Sequence, residues 1–387
     1  MGVVSGLHWT AFSKTTGNII CDLPGVDLQG QDLVMSVGQK ESVNVLLHID
    51  DTTPFDWVTA TNPDEAGIIA WTGDTENPTI VGGGYVQTRV RTLDLAVQIQ
   101  LATPDSALDE AQVGAYVNLG ANQDTIASDL INNFATGPNR PPWILTHVNP
   151  STVTQDVNYT GTNATSVGAE LQRLAQAAPQ DGNGVPQPLE WFTRWQWNLT
   201  AGTIRPEFVY GSRVGIKANP NPAVTIRLGD LQSLTYTEDY GAGKGASKVY
   251  AYGGAASSAT SAAVLVSSAA MTALGDKALV EFPFQPSIQT PSSADLANRA
   301  AQALAAMQNG SNSPMMVLVH NKPGKTLGVD FGIGDDMGFE FYSPVDPATG
   351  EPPLPQFATP VRGMGRVTGI RANDLTIAPV LTNVVLS

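Results

Sequence analysis

One cysteine stands in 387 residues, so Cys21 has no intrachain disulfide partner and no thiolate cage for a metal can form. Charge is scarce as well, at 14% of the chain. The 20 Lys and Arg are outnumbered by 35 Asp and Glu, for a net charge of −15 with no acidic block. Phosphate binding needs clustered bases, and none occurs, which excludes a basic nucleic-acid groove and sequence-specific recognition. The four histidines, His8, His48, His147 and His320, lie in four separate segments without metal-ligand spacing. No apolar run is long enough to span a bilayer; Ala262–Leu274 is short and broken by serines. The first residues, MGVVSGLHWTAF, lack the basic start and apolar stretch of an export signal. The sequons at Asn158, Asn163 and Asn198 are expected by chance in a chain rich in Asn and Thr.

What is present is apolar and turn-rich: 42% hydrophobic residues, 38 Gly and 27 Pro. That content supports a packed core and excludes disorder. So few charges on so long a chain predict a subunit covered by copies of itself and by other proteins. The expected fold is mainly β with a small α+β middle. Three regions are expected: β at 1–105, α+β at 106–222, and β with one helix at 223–387.

In the first region, Gly6–Phe12 and Ile19–Leu23 form a hairpin around Thr16-Gly17-Asn18. Ser42–Ile49 reads as a buried strand, and Gly67–Thr72 and Thr79–Val81 as short ones. Tyr85–Leu101 reads as a single strand with a bulge near Leu93–Asp94. In the middle, helices are expected at Asn122–Phe134 and Thr165–Ala178, with a polar loop, Asn149–Asn163, between them. A hairpin follows, in which Trp191, Thr193, Trp195, Trp197 and Leu199 share one parity and Ala201-Gly202 turns the chain. Pro206 predicts that its second strand is an edge. The tryptophan stripe is expected to pack on the Thr165–Ala178 helix, with a sugar-binding platform as the alternative. The last region predicts strands at Val224–Leu228, Ser233–Glu238, Lys248–Gly253, Ala278–Phe284, Met315–Val319, Thr326–Phe331, Met337–Phe341, Gly363–Arg371 and Asp374–Val385. A helix is expected at Ser293–Gln308, with Leu296, Ala300, Leu304 and Met307 on its stripe.

No catalytic, cofactor or metal site is expected. Gly241–Ser247 departs from the phosphate-loop spacing and precedes a strand rather than a helix. Asp330-Phe331-Gly332 lacks the rest of a kinase's machinery. Asp330, Asp335, Asp336 and Glu340 lack calcium-loop spacing and read as a tight turn between strands. Cys21 reads as a small hydrophobe following a strand. A glycan-cleaving enzyme needs two opposed carboxylates, and no pair can be nominated.

Taken in order, several segments carry a resemblance: Thr16–Pro24, the helix ending Glu170–Ala175, the hairpin Trp191–Gly211 and Ile226–Leu231. The loop Asp239–Ser247, the strand Lys248–Gly253, the helix Ala294–Met307, the turn Gly334-Asp335-Asp336 and the ladder Arg366–Leu386 complete it. The chain resembles the hub-type minor tail proteins of long-tailed siphophages that infect actinobacteria. The resemblance implies two barrel-like tube domains flanking helix-containing inserts. It implies a non-enzymatic homotrimer at the virion tail tip, made in the host cytoplasm. Implied partners are the distal tail protein, the tape-measure protein and other minor tail proteins, with host surface glycan met indirectly. Alternatives are a distal tail ring or a receptor- or carbohydrate-binding tail component. The acidity predicts a neutral to acidic wall for the axial channel of such a trimer, on strands Tyr85–Leu101 and Arg366–Leu386. A wall of Arg89, Arg91, Arg366 and Arg371 would contradict it.

Overall fold

The computed structural model describes the chain except residues 1–5, 51–52, 54–55, 64, 92, 94, 139, 161–164, 178–187, 220, 240–246, 253–262, 268–280, 285–296, 298–299, 302, 305–310, 321, 374–375 and 387. It divides into two compact units, Met1–Leu234 with Met315–Asn383 and Ser387, and Thr235–Pro314 with Val384–Leu386. The fold is mainly β with a small α+β middle, as the sequence indicates.

The first unit opens with β1 (His8–Ser13), β2 (Ile19–Asp22), β3 (Val26–Asp27), β4 (Leu33–Ser36) and β5 (Ser42–His48). A short helix α1 (Trp57–Ala60) precedes β6 (Ala66–Thr72), β7 (Thr79–Arg91) and β8 (Ala96–Ala102). Seven of these strands build one sheet in the order β2-β1-β6-β7-β8-β5-β3. The β1–β2 hairpin turns at Gly17, whose φ of 77° suits a residue without Cβ.

The expected single strand Tyr85–Leu101 is two strands. β7 and β8 pair antiparallel, Tyr85 opposite Ala102 and Arg91 opposite Val97, so the chain reverses between them. The parity change near Leu93 marks that reversal, and Leu93 and Leu95 are exposed there. No Gly or Pro announces the turn, which is why alternation alone runs through it. Conversely, Thr79–Val81 belongs to β7, because the strand continues through Gly82-Gly83-Gly84. A Cβ on Gly84 would lie 2.3 Å from the Ala102 oxygen, so the glycines permit close approach of backbones rather than breaking the strand.

The middle contains α2 (Ser106–Glu110), β9 (Ala115–Asn122), α3 (Gln123–Leu130), β10 (Ile144–His147), β11 (Thr154–Thr160) and α4 (Val167–Ala177). A π-helical turn, Ile131–Ala135, extends α3, so the expected Asn122–Phe134 helix is present. The expected polar loop Asn149–Asn163 holds β11 instead, paired antiparallel with β9. Only Val157 of β11 is fully buried, so its sequence shows little apolar alternation.

Then come β12 (Glu190–Asn198) and β13 (Thr203–Gly211), the expected hairpin, in register from Glu190 opposite Gly211 to Asn198 opposite Thr203. β13 is not an edge: the sheet order is β10-β13-β12. Pro206 is tolerated because the parallel pairing with β10 begins one residue later, at Glu207.

The tryptophan stripe splits between two cores. Trp191 stacks on Phe208 at 5.5 Å and joins Val167, Leu171 and Leu174 of α4, as expected. Trp195 and Trp197 do not meet that helix. Trp195 meets Phe12 and Tyr85 edge-on at 5.0 and 5.1 Å, and Trp197 meets Trp71 at 5.5 Å. The hairpin is long enough that its two ends reach different neighbours, and sequence periodicity fixes the face but not the neighbour.

The chain continues through β14 (Val224–Arg227), β15 (Leu231–Asp239), β16 (Lys248–Tyr252), β17 (Ala263–Ser267), β18 (Glu281–Phe284), β19 (Ser311–Val319), β20 (Asp336–Phe341), β21 (Val361–Ala372) and β22 (Thr376–Leu386). In the first unit β14, β20, β21, β22 and β19 follow one another in a second sheet, and β4 joins it on β21. The expected strand Thr326–Phe331 is a set of turns closed by a Leu327–Phe331 bridge. The Asp330 carboxylate accepts the Thr326 amide, and Gly328 has a φ of 78°, which ends any strand there.

In the second unit β16 pairs antiparallel with β17 and parallel with β18. Val249 and Ala251 pack against Ala300 and Leu304, two residues of the expected third helix. Most of that helix, the Gly241–Ser247 loop up to Ala246, Pro179 and Asn163 lie outside the described residues.

Candidate interaction cleft

The two faces of β12 and β13 do different work. One carries the tryptophans into the cores. The other presents Phe192 opposite Val209 and Arg194 opposite Glu207. Glu207 is 1% exposed, accepts hydrogen bonds from Arg194 Nε at 2.6 Å and from Thr146 Oγ1 at 2.5 Å, and so keeps its carboxyl below the usual range despite burial.

This face floors an open cleft of about 1250 Å³. Its far wall is the turn region Leu327–Asp335, and Arg213, Ile216 and Lys217 border it. The segment from Arg213 to Ala218 is held by the carboxylates that the sequence places in one turn. Asp335 accepts the Ile216 amide at 2.6 Å and the Gly332 amide at 2.7 Å. Asp336 accepts Arg213 Nη2 at 2.6 Å and the Ala218 amide at 2.8 Å. Gly215 and Gly334 cross there so closely that a Cβ on Gly215 would lie 2.1 Å from the Gly334 carbonyl carbon. Beside this crossing Glu190 takes a two-pronged contact from Arg366, which also donates to the Val214 carbonyl at 3.0 Å. Glu340 pairs with Arg362 and Arg227. The four acids Asp330, Asp335, Asp336 and Glu340 thus act as bolts between a linker, a turn and neighbouring strands.

The other candidates are equally local. His8 stacks on Trp71, His48 approaches Asp27, His147 contacts Asp124, and His320 contacts the Asn373 carbonyl. No three His, Cys, Asp or Glu side chains gather into a metal site among the described residues. Cys21 sits within β2, half-buried rather than after the strand, and burial pushes its thiol up to about 11. Among the described residues no helix is long and apolar enough to cross a membrane. Of the arginines considered for a channel wall, Arg89 binds the Val58 carbonyl, Arg91 lies over Trp57, Arg366 is committed to Glu190, and Arg371 is exposed.

Sequence reasoning missed two buried acids, Glu207 and Asp105. Asp105, 4% exposed ahead of α2, receives Thr193 Oγ1 at 3.1 Å from the hairpin. Burial pushes it up to about 6, against the opposing pull of hydrogen bonds from Thr103 and Thr193. A folded pKa above the unfolded one means stability present at acid pH and lost as pH rises through about 6. Asp105→Asn should therefore gain on the order of 2 kcal/mol over the wild type at pH 8 and little at pH 4. Denaturant titrations at both pH values check this; an equal difference at the two would refute it.

No protein family matches the chain, and no curated protein matches it in sequence. Solved structures do. The 43 kDa tail protein of prophage MuSo2 from Shewanella oneidensis aligns over 97% of this chain and 98% of its own, at 12% identity and a TM-score of 0.50. The tail protein from Neisseria meningitidis MC58 aligns over 97% of both chains, at 10% identity and a TM-score of 0.50. This chain shares the fold of these two tail proteins.

Proposed function

We propose that the protein is a structural subunit of a phage tail, and within it the hub of a siphophage tail tip. The observation that carries this reading is the arrangement of two large β sheets around a helix-containing middle, matched along nearly the whole chain by two tail proteins. The regions 1–105 and 223–387 act as tube-type domains, and 106–222 is the inserted middle. Three copies alternate these domains around an axis, close the tube and adapt it to the distal tail protein, the tape-measure protein and other tip proteins. The protein resides in the virion tail tip and catalyses no reaction. The channel wall is neutral to acidic, which fits the net charge of −15.

A carbohydrate-binding role would need an exposed aromatic platform. Trp191 and Trp195, at 3% and 5% exposure, do not supply one, and the half-buried Trp197 packs edge-on against Trp71.

Native mass measurement of the purified protein tests the reading. The expected species is a homotrimer held by interfaces of roughly 2,000 Å² or more each. A stable monomer or a hexameric ring would overturn it, and a map of the oligomer would then show which strands face the axis.

A further inference from the structure

We propose that the cleft over Phe192, Arg194 and Val209 seats an extended peptide segment of a partner protein, apolar with at least one carboxylate. The inference does not rest on the tail reading. Size comes first. At about 1250 Å³ the cleft is larger than the roughly 300–1,000 Å³ that small molecules occupy. A length of polypeptide fits it better.

Surface chemistry comes next. Ile216 and Val329 line the cleft 62% and 78% exposed, large apolar side chains left in water. Its aromatics do not face a ligand: Phe192 and Trp195 are 6% and 5% exposed, which disfavours sugar stacking. The lining carboxylates are spent on the chain itself, Asp330 on the Thr326 amide and Asp335 on the Ile216 and Gly332 amides. The bases are not spent in the same way. Lys217 is exposed and has no partner among the described residues. Arg194 engages Glu207 through Nε, with 46% of its side chain exposed. Arg213, by contrast, is committed through Nη2 to Asp336 and the Gly334 carbonyl. Of the charged side chains lining the cleft, Lys217 and Arg194 are exposed, whereas Arg213 and Asp330 are half-buried and Asp335 is buried, so in a chain with 35 acids to 20 bases the cleft's exposed charge is basic. It complements an acidic, apolar segment in the manner of other peptide grooves.

A displayed library of random decapeptides, panned against the purified protein, tests this. Enriched sequences should combine apolar residues with Asp or Glu. A labelled synthetic copy of the best should lose about tenfold in affinity, some 1.4 kcal/mol, on Lys217→Glu or Val329→Asp. Both residues are exposed, so the variants should fold, which near-ultraviolet circular dichroism verifies. Changing the peptide's carboxylate to lysine should restore binding to the Lys217→Glu protein. The proposal is overturned if nothing enriches, if basic peptides enrich, or if both variants bind as the wild type does. It is also overturned if Val329→Asp changes the oligomer mass while no peptide binds, since a second copy would then occupy the cleft.

Discussion

Trp195→Ala is expected to lower the unfolding free energy by about 3–5 kcal/mol, the usual range for emptying a large aromatic site in a core. Trp195 is 5% exposed and belongs to a cluster with Phe12, Ile69, Trp71, Tyr85 and Ile204. Its edge-on contacts with Phe12 and Tyr85 add to the area it buries. Those neighbours are on β1 and β7, so the loss falls on the attachment of the hairpin to the N-terminal sheet. Trp191→Ala should cost a similar amount but act on the α4 core, and the two effects should add apart from a coupling carried by Trp143, which packs against both clusters. Urea titration of the single and double variants measures both points. Unchanged stability together with lost attachment to host cells would instead give the stripe a surface role.

The second large effect is expected from Glu190→Ala, at about 3 kcal/mol. Glu190 and Arg366 are 176 residues apart, and their side chains are 18% and 12% exposed. Removing the carboxylate leaves the guanidinium poorly hydrated and the Val214 amide without its 2.9 Å acceptor. Arg366→Lys should also be costly, because an ammonium cannot reproduce the forked contact. Replacing both residues by Met should recover much of the loss, since an apolar pair leaves no buried charge unmatched. A double variant no more stable than Glu190→Ala would refute the ion-pair explanation.

Much of the fold was legible because local chemistry is strong where the chain is strongly patterned. Strands such as Ser42–His48 and Glu190–Asn198 alternate clearly, and Thr16-Gly17-Asn18 and Ala201-Gly202 are good turn formers. Reading failed where the local signal was absent or carried another meaning. The β7–β8 reversal has no Gly or Pro at its tip, while the Gly82–Gly84 run inside β7 marks close packing. β11 exposes most of its side chains and so lacks alternation. The acids Asp335 and Asp336 beside the cleft were visible, but their long-range partners, Arg213 and the Ile216 and Ala218 amides, lie more than 100 residues away in the chain.

By itself the sequence determined a mainly β chain with a helix-bearing middle, a core rich in tryptophan, and an acidic surface without a thiol or histidine cluster. These follow from periodicity, turn residues and composition, which act over a few residues or over the chain as a whole. Tertiary structure alone decided that one tryptophan stripe serves two cores, that a proline strand lies mid-sheet, and that Glu190 meets Arg366. Each of these depends on which distant segment arrives as a neighbour. Side-chain period sets the direction a residue faces, whereas the partner it finds there is set by long-range packing.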